Sequence, residues 1–386
     1  MQSSGDPSAR PRIMVLYASQ RLTGPARGLF QLIEESGTKE SFTVCSFGRP
    51  DAAPSDFHRA ALERGIDARV IEQRFALDPR MIDRALKIVT EGRYDLVQSH
   101  GYKTHILAGI ISRKLQIPWI AVSHGYTDEN VRIRLYNRLD RLLLVLPDTV
   151  VAVSPALREL ITRTRHHKRT VTILNAIESS RFGDEDRRAQ ARTRVRAELG
   201  LRDEQVVLVV IGRLSPEKGQ DQFLEAFSVL PDRDPPPLGL LVGEGPEEDS
   251  LRGLVRDLGI EDRVRFLGYR PNVADYYAAA DLVVLPSRSE GLPNVALEAQ
   301  ALERPVVAFD VGGMGEVIED RMTGWLVPAG DVPALSRAMS EAMNHPDRTA
   351  AVADRALENL YPKFAVETRV RSFFDEYRRL CALHAG

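Results

Sequence analysis

The chain has 386 residues, 43% of them hydrophobic and 27% charged, with 52 Lys and Arg against 54 Asp and Glu. This composition excludes a disordered or fibrous chain and fits two globular domains of ordinary size. No apolar run reaches the roughly 18 to 20 residues that cross a bilayer, and the opening MQSSGDPSAR lacks the apolar stretch of a secretory signal. A cytoplasmic protein is expected, with Cys45 and Cys381 as free thiols, since two cysteines make neither a disulfide framework nor a thiolate zinc site. Charge is uneven: residues 1–180 carry 26 Lys and Arg against 19 Asp and Glu, whereas the remainder carries 26 against 35. That excess is mild and dispersed, and no helix-turn-helix, zinc-finger or aromatic stacking motif accompanies it, so no nucleic-acid partner is expected.

Short apolar runs alternate with helix-length segments along the first half: IMVLY (13–17), FTVCSF (42–47), DLVQSH (95–100), WIAVSH (119–124), TVVAVS (149–154) and VTILN (171–175). Continuous apolar strands separated by helices predict a parallel sheet covered on both faces. The pattern pauses at 179–200, a charged stretch whose second part reads as a solvated helix, and this is the expected domain junction. A second series follows: VVLVVIG (206–212), LGLLVG (238–243), VRFLG (264–268), DLVVLP (281–286), PVVAFD (305–310) and GWLVP (324–328). The fold class is therefore α/β, with two doubly wound, Rossmann-like parallel-sheet domains facing a cleft. The expected division is 1–180, 181–363 and a final helical segment, 364–386, that crosses back to the first domain.

The stretch SRSEGLPNVALEAQALERP (287–305) follows strand DLVVLP directly. Pro293, placed at the first helical position after a glycine loop, starts a helix whose unsatisfied N–H groups face the C-terminal edge of the sheet. Such an end binds phosphate. Glu290 and Glu298 have seven residues between them, Gly291 and Pro293 included. Glu298, about a turn and a half into the helix, can accept from both hydroxyls of a ribose, while Glu290 on the loop meets whatever hangs from the distal phosphate. Alone, this spacing is common on any charged helix. Its weight comes from GRLSPEKG (212–219), which ends another strand and sets Arg213 and Lys218 where a guanidinium and an ammonium would clamp a diphosphate. Lys218 is the only lysine between residues 169 and 362.

With these motifs, and with VGEGPEE, ADLVVLPSRSEGLPNVALEAQA and PVVAFDVGGMGEVIEDRMTGWLVP beside them, nearly the whole chain resembles the retaining glycosyltransferases of family 4, which have the GT-B fold. The resemblance implies that Gly212, Arg213 and Lys218 hold the donor diphosphate. It also implies that Glu290 lies at the donor sugar, that Glu298 holds the ribose, and that Gly291, Leu292, Pro293, Asn294 and Val295 form the loop and helix start around the nucleotide. In the first half it is looser. A single Gly24 after Thr23 stands where the family has a glycine pair, and His124 matches the family's histidine near the donor sugar, with His100 as the competing candidate. The cluster HHK (166–168) reads as solvated, and Asn175 as a structural residue ending the last strand of the first domain.

The expected reaction is metal-independent transfer, with retention, of a hexose-type sugar from a UDP- or GDP-linked donor to a hydroxyl of a glycan. No aspartate pair suited to a divalent ion stands at a strand end, and no cofactor is expected. Arg213, Lys218 and the helix end near Asn294 and Val295 would stabilise the leaving diphosphate. No carboxylate is identified for a covalent double displacement, so front-face transfer is preferred. The acceptor is less legible. Arg132, Arg134, Arg138 and Arg141, with Val131, Leu135, Leu139 and Leu142 at helical spacing, read either as a basic amphipathic helix on an anionic membrane or as an ordinary sheet-covering helix. A lipid-linked or cell-envelope acceptor accords with the first. Two other readings stay open: a sugar-nucleotide epimerase of the UDP-GlcNAc 2-epimerase type, and a nucleotide-sugar-binding protein without catalysis.

Overall fold

The structure, a computed structural model, describes residues 11–75, 78–126, 131–163, 169–178 and 182–384, with 131–134 as backbone only. Strands and helices alternate along the first part: β1 (Ile13–Tyr17), α1 (Gly24–Glu35), β2 (Phe42–Gly48), α2 (Asp56–Glu63), β3 (Asp67–Glu72), α3 (Arg80–Gly92), β4 (Leu96–His100), α4 (Tyr102–Leu115), β5 (Trp119–Ser123), α5 (Val131–Leu143), β6 (Thr149–Ala152), α6 (Pro155–Thr162) and β7 (Thr170–Thr172). All pairings are parallel, in the order β3-β2-β1-β4-β5-β6-β7. Every residue of β1 is buried, as the apolar run IMVLY requires of a central strand covered on both faces.

The second part repeats the plan with α7 (Glu185–Glu198), β8 (Val207–Ile211), α8 (Gln220–Ser228), β9 (Leu238–Val242), α9 (Glu248–Asp257), β10 (Val264–Gly268), α10 (Ala274–Ala279), β11 (Leu282–Leu285), α11 (Asn294–Ala301), β12 (Val306–Asp310), β13 (Trp325–Pro328), α12 (Val332–Asn344) and α13 (Pro346–Phe364). Its sheet runs β10-β9-β8-β11-β12-β13, again parallel throughout. The chain then enters α14 (Val366–His384). By contact the described chain divides into two compact units: one takes the residues up to Gly125, Val131–Ala176 and everything from Val366 onward, and the other takes Tyr126 and Ile177–Ala365.

Each unit has its own core. In the first, Ile13, Val15, Leu29, Phe30 and Val122 close around Phe373, Tyr377 and Leu380 of α14, so the last helix is part of that core and not an appendage. Each such side chain, fully buried, contributes roughly 1.5–3 kcal/mol. In the second, Leu208, Val210, Phe223, Phe227, Trp325 and Met339 fill the space between sheet and helices.

Local details add to or differ from the sequence reading. The stretch DARVIE forms β3, an edge strand whose exposed and half-buried residues alternate, a pattern that lacks the continuous apolar run of the inner strands. The last strand of the first sheet ends at Thr172 rather than at Asn175. Helix α7 is mostly exposed, as expected, but one face is not: Ala191 and Val195 are buried, and Arg192 and Arg196 reach Asp281 at 2.6 and 3.3 Å while donating to the carbonyls of Ala278, Ala279 and Ala280. On that face Arg192 and Arg196 serve backbone carbonyls and Asp281 of neighbouring elements, so a polar composition does not make every face free. The cluster 166–168 lies outside the described residues.

Candidate active site

In the second unit β8 and β11 are neighbours, yet the chain leaves them toward opposite sides of the sheet. This opens a crevice at their C-terminal ends, the place where doubly wound sheets bind ligands. The loop after β8 carries Gly212, Arg213 and Lys218, and the loop after β11 carries Ser287, Glu290, Gly291 and Leu292. They meet: Lys218 Nζ donates to Glu290 Oε1 at 2.7 Å, and Ser287 Oγ donates to the same oxygen at 2.8 Å. The carboxylate is 13% exposed and the ammonium 27%. Both groups are thus within reach of a ligand and partly shielded from water.

The two loops are fastened to each other by more than this pair. Arg288 clamps Asp221 with two bonds of 2.8 and 2.5 Å and donates to the Pro216 carbonyl, while its own N–H meets the Glu217 carbonyl. Gly219, at φ +64, lies so close to the Pro286 carbonyl that any Cβ would overlap it. Gly312, at φ +56, presses likewise on the carbonyl of Glu290. Only glycine allows both the left-handed conformation and the contact. Arg213 has its carbonyl held by Gln220 Nε2 at 2.8 Å and its side chain exposed.

Helix α11 begins at Asn294, with Pro293 in extended conformation as the residue before it. The expected placement of Pro293 inside the first turn is therefore corrected by one residue. The first-turn N–H groups of Asn294 and Val295 have no acceptor within the helix, an arrangement that favours negative charge beside it. One turn further, Glu298 Oε2 accepts from the hydroxyl of Tyr277 at 2.9 Å, and that hydroxyl also reaches the Val295 carbonyl at 3.4 Å. Tyr277 is completely buried in α10 and fixes the carboxylate from below.

In the first unit a second group of the expected residues stands at the C-terminal ends of its strands. Thr23 caps α1, accepting from Ala26 N at 3.4 Å, so Gly24 is the first helical residue, and Thr23 Oγ1 meets the Tyr17 hydroxyl at 2.7 Å. His100 ends β4 and His124 follows β5. They touch: His100 Nδ1 lies 2.9 Å from His124 Nε2 with the rings nearly parallel. Burial pushes the His124 imidazolium down to about 3, with Arg369 of α14 adding to the shift, and burial, His124, His105 and Arg369 together hold His100 well below its usual range. Sequence reading did not single out Ser287, although it opens the stretch 287–305, nor Tyr277, Tyr17 and Arg369, whose contacts with the expected residues depend on how separate elements pack.

Of the helix expected to be basic and amphipathic, α5, the side chains of Arg132 and Arg134 lie outside the described residues. Arg138 and Arg141 are exposed, and so are Leu135 and Leu142, while Asp140 is buried. Among the described residues no helix is long and apolar enough to cross a membrane, and no three His, Cys, Asp or Glu side chains gather where they could hold a metal ion.

Two open, doubly wound sheets, one with a cation–carboxylate pair and a helix end at its switch point, define the class of two-domain nucleotide-sugar enzymes with the GT-B architecture. The family models agree: "Glycosyl transferases group 1" matches residues 191–358 and "Glycosyltransferase Family 4" matches residues 26–181. The D-inositol 3-phosphate glycosyltransferase 2 of Catenulispora acidiphila is 31% identical over 313 residues, covering 75% of this chain and 71% of its own. The N-acetyl-alpha-D-glucosaminyl L-malate synthase of Bacillus anthracis is 28% identical over 306 residues and 78% of each chain. Among solved structures, HepE of Anabaena with UDP and glucose aligns with a TM-score of 0.83 at 23% identity, covering 95% of this chain and 99% of that one. The chain belongs to the family 4 glycosyltransferases and has their GT-B fold.

Proposed function

We propose that the chain moves a hexose-type sugar from a nucleoside diphosphate sugar to a hydroxyl of a glycan, with retention of the anomeric configuration and without a bound metal. The observation that carries this reading is the meeting of Lys218 and Glu290 across the ends of β8 and β11, beside the open first turn of α11. Departure of a nucleoside diphosphate builds negative charge on its distal phosphate and positive charge on the anomeric carbon. Arg213, Lys218 and the N–H groups of Asn294 and Val295 are of the sign and type to stabilise the first. Glu290, held by Lys218 and Ser287, serves the sugar, and Glu298, steadied by Tyr277, serves the ribose hydroxyls. His124 takes the role of the family histidine at the donor sugar. No carboxylate is assigned as a nucleophile, and the leaving phosphate takes the acceptor's proton in a front-face transfer. UDP is the first nucleotide to test, since HepE has been solved with UDP-glucose.

The acceptor side rests on α5. Its exposed Leu135 and Leu142 stand with Arg138 and Arg141, while Leu139 and Leu143 are half-buried and Asp140 turns inward toward His105. This favours an acceptor at an anionic membrane surface, such as a lipid-linked glycan. A panel of UDP- and GDP-sugars screened by thermal shift identifies the donor, because a ligand of the native state raises the midpoint. Proton NMR of the first-formed product then reads the anomeric configuration. A product of inverted configuration, or a donor converted without any acceptor, would refute the reading.

A further inference from the structure

A line of hydrogen bonds crosses the first unit from its last helix to His124. The hydroxyl of Tyr377, on α14 and fully buried, lies 2.6 Å from Gln98 Oε1. Gln98 Nε2 lies 2.8 Å from His100 Nε2, and His100 Nδ1 lies 2.9 Å from His124 Nε2. Gln98 is itself fully buried on β4, so all its groups must find partners inside the protein.

The direction of these bonds follows from chemistry. A contact of 2.6 Å suits O–H···O and is short for N–H···O, so Tyr377 donates to the amide oxygen. The amide nitrogen then faces His100, and an amide nitrogen only donates. Nε2 of His100 therefore accepts, and its proton sits on Nδ1. That proton is donated to Nε2 of His124, whose own proton must be on Nδ1.

We propose that Tyr377, Gln98 and His100 are positioning residues that lock His124 in the Nδ1–H tautomer, so that it meets the donor sugar as a hydrogen-bond donor and not as a base. The proposal rests on the reading of His124 given above. With the Nε2 lone pair occupied by His100, the ring has no site to take a proton from an acceptor hydroxyl, whereas Nδ1–H has no partner among the described residues. Burial and the groups around the pair favour uncharged rings: Arg369 brings a buried guanidinium from α14, and His105, on α4 and bonded to Ser99, lies near both rings, while the neutral Tyr17 packs beside His100. Arg369 is anchored by a 2.9 Å bond to the Gly28 carbonyl and cannot swing away to relieve the field.

The test uses the full chain labelled with 15N-histidine, with His100→Asn and His124→Asn variants assigning the resonances in long-range proton–nitrogen correlation spectra. Both rings are expected to carry their proton on Nδ1 and not to titrate between about pH 6 and 8. Gln98→Glu replaces the amide donor by a carboxylate that accepts, which should reverse the line and move the His124 proton to Nε2. Transfer should then fall roughly 10- to 100-fold, the cost of a lost donor to bound substrate, with UDP affinity by calorimetry unchanged. An Nε2–H tautomer of His124 in the wild-type spectrum overturns the proposal, and that spectrum decides the matter even if Gln98→Glu does not fold. A Gln98→Glu protein that folds but leaves the His124 tautomer unchanged also overturns it. Expected spectra in a chain that transfers no sugar from any donor would keep the hydrogen-bond line and refute the role of His124.

Discussion

Lys218 Nζ and Glu290 Oε1 lie 2.7 Å apart although 72 residues separate them, because β8 and β11 are adjacent and deliver both loops to one crevice. A partly exposed pair of this kind adds little to stability. Its value is chemical: it stations a cation and a carboxylate side by side, where a diphosphate and a sugar hydroxyl could each take one.

Lys218→Ala and Arg213→Ala should each lower turnover by roughly 100- to 1000-fold, the cost of one donor to a developing anion. The fold should survive, since both side chains reach solvent and neither belongs to the core. Initial rates with the donor found by thermal shift, beside the melting curve of each variant, check this. Near-normal turnover in both variants would remove the diphosphate clamp. Transfer should also persist after dialysis against EDTA, and activity restored only by an added divalent ion would contradict the leaving-group chemistry.

Glu298→Ala should weaken binding of bare UDP or GDP by about tenfold, as expected for loss of charged acceptors to hydroxyls. Tyr277→Phe should weaken it by less, because it removes only the bond that steadies the carboxylate. Glu290→Ala should spare nucleotide affinity and damage transfer. Calorimetry with the nucleotide, set against rates, separates the two carboxylates, and the opposite ranking would exchange their roles.

How far the sequence discloses this molecule depends on the element. The inner strands of the second sheet, β9, β8, β11 and β12, are legible because they are buried almost throughout and so read as apolar runs. Edge strand β3 is not, since one side of DARVIE meets water and its pattern is diluted by charge. Arg213, Lys218, Glu290 and Glu298 stand out in the sequence as candidates from their types and their places on strand-end loops and on the helix that follows. Their mutual arrangement is not, because the Lys218–Glu290 bond and the Tyr277 support depend on sheet order and helix packing. Least legible is the line from Tyr377 to His124, which exists only because α14 folds into the first core.

Helix α5 should bind anionic vesicles in a salt-sensitive way, with each arginine near the surface worth roughly 1 kcal/mol. Replacing Arg138 and Arg141 together by Gln should therefore lower the bound fraction about tenfold or more at low salt. Leu135→Ser with Leu142→Ser should lower it further without loss of the fold, since both leucines are exposed. Flotation with phosphatidylglycerol vesicles at low and high salt reads the result. Protein missing from the floated layer at low salt would favour a soluble acceptor.

Acid should loosen the first unit before the second. His105 and His124 are both pushed down to about 3 by burial, from an ordinary value of 6.5, and His100 shifts the same way. Below 6.5 the unfolded chain takes up protons that the native imidazoles refuse, so their uncharged burial is fully tolerated above that pH and increasingly penalised below it. Each such histidine costs roughly 1 kcal/mol per pH unit as the pH falls toward the native value. The second unit has one histidine, His345, in Ile177–Ala365. The chain's two tryptophans allow the units to be followed separately, Trp119 in the first core and Trp325 in the second. In Trp325→Phe protein the urea midpoint of Trp119 fluorescence should drop steeply between about pH 6.5 and 4.5. In Trp119→Phe protein the midpoint of Trp325 should move far less over the same range. Equal shifts of the two signals would mean that the buried histidines are not what acid attacks first.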